Sequence, residues 1–274
     1  MDFTTGQILF AFLLTLFAGL STGIGSAIAF FTKKTNETFL SVALGFSAGV
    51  MIYLSFIEIF PKAFESLEAT MSSDRAYTLT TIAFFVGIAI TGIIDRLVPE
   101  VANPHEIRDV SEMEQTPEAK EALKAKRLMR MGVFTALAIT LHNFPEGIAT
   151  FLATLEDPTL GISIAIAVAI HNIPEGIAVS VPIYYATGSK LKAFLYSFGS
   201  GLAEPVGAIA AFFILRTFLT DQMFGLIFAA VGGIMIYIAL DELLPTAEKY
   251  GAHHKVIYGL LGGMIVMAIS LILQ

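Results

Sequence analysis

Eight apolar runs, each long enough to cross a lipid bilayer as a helix, govern what this chain can fold into. They cover roughly residues 7–31, 38–61, 77–98, 131–155, 159–186, 191–215, 222–245 and 255–273, each close to the ~20 residues that a crossing helix needs. Charged residues are only 14% of the 274 and hydrophobic residues 55%. A soluble fold of this size could not hide so much apolar surface, so the expected fold is an all-α polytopic membrane protein of eight transmembrane helices. The amino end, "MDFTTGQ", lacks a basic stretch and leads into an apolar run to Phe31, which reads as a first span and not as a cleaved leader. The net charge of −7 says little about soluble partners. The absence of cysteine excludes disulfides and thiolate metal sites.

Loop charge sets the expected direction. Of the 16 Lys and Arg, only Lys62, Arg75 and Arg216 fall in one set of alternate loops. The other set takes the rest and is therefore cytoplasmic, which puts both termini outside. The chain divides into residues 1–98 (spans one to three), a cytoplasmic loop at 99–130, spans four and five at 131–186, and spans six to eight at 187–274. The end of the loop, "PEAKEALKAKRLMR", favours a helix that runs on into span four, whereas "EVANPHEIRDVSEMEQT" before it, with His105, is polar and loop-like.

Two segments repeat with inverted sense. "SAGVMIYLSFIEIFP" (Ser47–Pro61) aligns without gaps on "VGGIMIYIALDELLP" (Val231–Pro245), pairing Glu58 with Glu242 and Pro61 with Pro245. "GLSTGIGSAIAFF" (Gly19–Phe31) lies over "GLAEPVGAIAAFF" (Gly201–Phe213), which sets Thr22 opposite Glu204. The paired spans are an odd number apart and so cross in opposite directions. That is the arithmetic of an inverted repeat, here in a 3+2+3 order, a frequent plan among secondary transporters.

Spans four and five carry the chemistry: "LHNFPEGIAT" from Leu141 and "IHNIPEGIAV" from Ile170. On a helix His142 and Glu146 share a face, as do His171 and Glu175. Pro145 and Pro174 each crowd the carbonyl four residues back, which kinks the helix and frees an oxygen. Gly147 and Gly176 permit close helix approach. Span six adds Glu204 in "SGLAEP". Face to face, one centre can use His142, Glu146, His171 and Glu175, and an adjacent one Asn143, Asn172, Glu175 and Glu204. This nitrogen and oxygen set suits Zn²⁺, Fe²⁺, Mn²⁺ or Co²⁺ over Ca²⁺ or Mg²⁺.

The plain alternative is that these groups only glue helices together. Against it, every deeply placed charge is acidic: Glu58, Glu146, Glu175, Glu204, Asp241 and Glu242. No Lys or Arg sits mid-span to neutralise them, and buried carboxylates demand a counter-cation. A row of such groups marks a cation path. Glu58 and Glu242, near span ends, serve equally well as path ligands or interfacial carboxylates. His253 and His254 in the cytoplasmic loop read as a surface pair or as receivers of an emerging metal, Asp95 as an interface partner of Arg96, and the aromatics as packing residues.

At these residues the chain closely resembles the ZIP (Zrt/Irt-like) family of divalent metal transporters, in its bacterial branch. The likeness covers the whole chain, and "HNFPEG", "HNIPEG" and "SGLAEP" are specific for it. The resemblance implies a binuclear site midway along the path and uptake of metal into the cytoplasm of a bacterium through its inner membrane. Its first metal position falls on His142, Glu146, His171 and Glu175, and its second on Asn143, Asn172, Glu175 and Glu204. The expected protein is no enzyme. Its substrate is Zn²⁺, with Fe²⁺, Mn²⁺ and Co²⁺, and it needs no organic cofactor. Its partners are the metal ions and the lipid bilayer, with a homodimer admissible and no nucleic acid. The rival class is an intramembrane metallohydrolase, which would also need His and Glu around a metal, although His-Glu-x-x-His is missing here.

Overall fold

Apolar runs of this length can satisfy their own backbone groups only as helices, and helices are what forms. The computed structural model describes residues 3–29, 37–97, 117–215 and 220–272. The helices are α1 (Thr5–Ala29), α2 (Glu37–Leu54), α3 (Phe60–Glu68), α4 (Ser73–Leu97), α5 (Pro117–Glu156), α6 (Pro158–Thr187), α7 (Lys190–Gly201), α8 (Ala203–Ala210), α9 (Asp221–Ile238), α10 (Leu244–Tyr250) and α11 (His253–Ile272). Among the described residues there is no strand. The loop expectation at 99–116, with His105, lies outside the described residues. Its basic end is helical from Pro117 and continues unbroken into the apolar part of α5.

Six helical stretches are long and apolar enough to cross a membrane: Thr5–Ala27, Thr38–Glu68, Ser73–Arg96, Pro158–Thr187, Asp221–Tyr250 and His253–Ile272. The chain is a multi-pass membrane protein. Two expected spans fall short of that simple form for physical reasons. The apolar half of α5 carries His142, Asn143, Pro145 and Glu146. The run 191–215 is broken at Leu202 into α7 of 12 residues and α8 of 8, which a π turn at Ala211–Leu215 carries on, so neither piece alone reaches the ~20 residues a crossing helix needs.

The expected helix ends at Pro61 and Pro245 are overrun, because a π turn precedes each. Ser55–Ile59 links α2 to α3, and Ala239–Leu243 links α9 to α10. In the first, the N–H of Phe60 reaches back to the carbonyl of Ser55, and in the second that of Leu244 reaches Ala239. The wider turn loosens the ladder where a proline ring would otherwise crowd the carbonyl four residues back, so the helix bends instead of ending. The two π turns occupy matching positions in the repeat.

The centre of the bundle is α6, the most buried span, packed against α1, α2, α5 and α7. On the flanks α2 packs on α11 and α9 on α4, and α4 and α11 are the most exposed spans. Asp157, N-cap of α6, accepts from the Thr159 N–H at 2.8 Å. Gly188 closes α6 in the left-handed region at φ 64°. These two caps hold α6 antiparallel to α5 and α7 through very short connections.

Where helices cross, backbones meet at glycine. A methyl on Gly25 would strike the carbonyl oxygen of Ile173, and one on Gly207 that of Phe144. Gly176 stands likewise against the carbonyl of Thr22, and Gly147 against that of Glu204. On the flanks Gly87 meets the carbonyl of Ala230, and Gly263 that of Phe46. Under the repeat alignment each contact has its counterpart: Gly25 with Gly207, Gly176 with Gly147, Ala230 with Phe46. No side chain cushions these crossings, so the helices lie in direct van der Waals contact.

Candidate metal centre

The two helices α5 and α6, with Pro145 and Pro174 inside them, bring the repeated motifs together. His142, Asn143, Glu146, His171, Asn172, Glu175 and Glu204 are all at most 1% exposed. The histidines and glutamates pair crosswise. His142 Nε2 lies 3.1 Å from Glu175 Oε2, and His171 Nε2 lies 3.3 Å from Glu146 Oε2. Each imidazole of one motif therefore shares a proton with the carboxylate of the other.

The amides follow the same symmetry. Asn143 Nδ2 donates to the Ser200 carbonyl at 3.3 Å, and Asn172 Nδ2 to the Ala18 carbonyl at 3.0 Å. Ala18 and Ser200 are themselves partners under the repeat. The symmetry breaks at Glu204, which accepts a further bond from Asn172 Nδ2; its counterpart is Thr22. α8 begins at Ala203, so the break at Leu202 sets Glu204 in the first turn of a helix, facing the motifs. The macrodipole there favours a carboxylate.

All seven side chains singled out in the sequence thus gather in the core, where α5, α6 and α8 meet. Among the described residues they meet as pairs: no group of three or more His, Asp or Glu side chains converges on one point. Several of their polar atoms have no partner among the described residues. They are Asn143 Oδ1, Glu146 Oε1, Asn172 Oδ1, Glu204 Oε2 and the Nδ1 atoms of both histidines. The four oxygens are acceptors. Leaving an acceptor unmet in the core costs about 1–3 kcal/mol, and more for a charged one. A set of orphaned oxygens beside imidazoles suits a divalent transition metal.

Sequence reasoning missed Ser47. Its hydroxyl lies 3.4 Å from both Glu175 Oε1 and the His171 carbonyl, wholly buried. The repeat held the signal, because Ser47 sits opposite Val231 at the head of two otherwise similar segments. The flanking groups are more ordinary. Glu58 and Glu242 are half-buried within the two π turns. Asp95, expected beside Arg96, takes the Tyr237 hydroxyl at 3.4 Å. His253 pairs with Glu248 at 2.8 Å on an exposed surface, as a surface pair should.

Fold and centre together define a multi-pass helical membrane protein built around a buried acid–imidazole cluster. The family model described as ZIP Zinc transporter matches residues 102–271, and the chain belongs to that family. It is 60% identical over 275 residues to the zinc transporter ZupT of Clostridium perfringens, covering 97% of this chain and 96% of that one. The zinc transporter ZupT of Oceanobacillus iheyensis is 61% identical over 267 residues, covering 97% and 98%. That of Streptococcus mutans is 60% identical over 263 residues, covering 96% and 97%. Membership of a transporter family removes the support for a metallohydrolase.

Proposed function

We propose that this chain takes divalent transition-metal ions, zinc first and with it Fe²⁺, Mn²⁺ and Co²⁺, into the cytoplasm through a binuclear site at mid-membrane. The observation that carries this is the burial of His142, Asn143, Glu146, His171, Asn172, Glu175 and Glu204 in one core region with unpartnered acceptor oxygens. The near-full-length relatives named zinc transporters support zinc as the main substrate. The mixed imidazole, amide and carboxylate set supports the wider range, since ranking among such metals follows availability and geometry.

The first position draws on His142, Glu146, His171 and Glu175, the second on Asn143, Asn172, Glu175 and Glu204. An arriving ion needs the same Nε2 and carboxylate oxygens that share protons in the resting pairs. Metal and proton therefore compete, and binding releases protons. The ion sheds its water to the ligands and leaves when the helix groups rock against each other.

Eight crossings in a 3+2+3 inverted repeat, divided at 1–98, 99–130, 131–186 and 187–274, belong to this proposal. The matched glycine contacts, the matched π turns and the crosswise hydrogen bonds support it. A bacterial inner-membrane location with both termini outside, read from the loop charges, belongs to the proposal too. The test is zinc uptake by the purified chain in lipid vesicles. His142→Ala and Glu175→Ala abolish uptake while membrane insertion persists. Normal uptake by both variants removes the motif from the mechanism.

A further inference from the structure

The pseudo-twofold relation leaves one position occupied on one side and altered on the other. Gly19 and Gly201 pack against each other: a methyl on either would run into the other's carbonyl oxygen. The same imagined methyl on Gly19 would lie 3.3 Å from Glu204 Cβ, and the one on Gly201 would lie 2.8 Å from Thr22 Cβ. Thr22 therefore stands where a second Glu204 would stand, beside Gly201, the residue after the Ser200 whose carbonyl holds Asn143. Its backbone rests on Gly176, the residue after Glu175.

The Thr22 hydroxyl is wholly buried and has no hydrogen-bond partner among the described residues. Thr150 shares this state, but other buried helical threonines do not. Thr15, Thr80 and Thr154 each donate to the carbonyl four residues back, at 2.6–2.9 Å. At Thr22 that acceptor is the Ala18 carbonyl, which already takes Ser21 Oγ at 2.6 Å and Asn172 Nδ2 at 3.0 Å. The hydrogen bond that fixes Asn172 in the centre thus frees the hydroxyl of Thr22. The Asn143 oxygen and one Glu146 oxygen in the centre are also unmatched.

We infer that Thr22 is a further, neutral oxygen donor to the transported ion, facing it from the side opposite Glu204. This inference rests on the transport reading above. Its role is in selectivity. A hydroxyl in place of a fourth acid holds the ion without adding charge, which eases release. An added oxygen donor also favours harder ions such as Mn²⁺ more than the imidazoles do.

The test uses the full chain, with Thr22→Val removing the hydroxyl at constant shape and Thr22→Ser keeping it. Zinc uptake into vesicles is measured with Mn²⁺ as competitor. Thr22→Val raises the KM for zinc about tenfold and weakens Mn²⁺ competition still more, while Thr22→Ser stays within about twofold of the parent on the same scale. The visible absorption of bound Co²⁺ in detergent gives a readout independent of transport. Its band shape changes in Thr22→Val and is kept in Thr22→Ser. Parental KM, competition and Co²⁺ bands in Thr22→Val overturn the inference while zinc uptake by the parent keeps the transport reading. A parent that neither transports zinc nor binds Co²⁺ removes both. If the valine variant fails to fold, Thr22→Ala is read by the same criteria.

Discussion

His142 on α5 and Glu175 on α6 face each other across 3.1 Å in a region closed to solvent, and His171 and Glu146 repeat the arrangement at 3.3 Å. Each pair is formed by one residue from each motif, so no motif is complete by itself. Both helices must be in place before either pair exists. A proton serves as the bond between them, and a metal ion would take its place.

Glu175→Gln keeps the shape of that carboxylate and removes its charge. The amide still meets His142 and Ser47, so the bundle assembles. Zinc uptake falls at least about a hundredfold, read as initial rate against zinc concentration in vesicles. An uptake curve matching the parent's means that Glu175 holds helices and nothing else.

The glycine crossings give a stability experiment. Gly25→Ala and Gly207→Ala each drive a methyl into a carbonyl oxygen of the neighbouring helix and cost about 1–3 kcal/mol, seen as a lower Tm in detergent. Gly199 is the control. A methyl there would find nothing within 4 Å, and Gly199→Ala in helix α7 gains roughly 0.5–1 kcal/mol from backbone entropy. Equal Tm values for all three variants would show that the crossings are looser than the carbonyl contacts imply.

Sidedness can be read because the chain has no cysteine of its own. Ser72→Cys, in the exposed turn after α3, and Ala252→Cys, in the exposed turn before α11, are placed on opposite sides by the loop charges. A thiol reagent that cannot cross the membrane labels Ser72→Cys in intact cells and Ala252→Cys only after permeabilisation. The reverse pattern turns the whole bundle over, and with it the direction of uptake.

Much of this was legible before any coordinates. The crossing helices follow from apolar length, and the centre from two histidines, two asparagines and three glutamates placed where nothing basic could neutralise them. What escaped were features set by the backbone in three dimensions. A π turn has no composition of its own, so Pro61 and Pro245 read as ends when they are bends. The break at Leu202 is a matter of one residue's backbone, φ −67° and ψ −10°, which no residue type announces. Thr22 was visible as the partner of Glu204 in the alignment. That its hydroxyl is free follows only from two other side chains having claimed the Ala18 carbonyl.

The paired π turns carry one last consequence. Each amounts to a single surplus residue that the wider i→i+5 turn absorbs, so the α-helix on either side keeps its register. Glu58 and Glu242 ride on those surplus turns. A one-residue deletion in either would return the turn to the plain α form and move its carboxylate off the face it now occupies. The surplus residue therefore sets where each carboxylate points without turning the helix that follows.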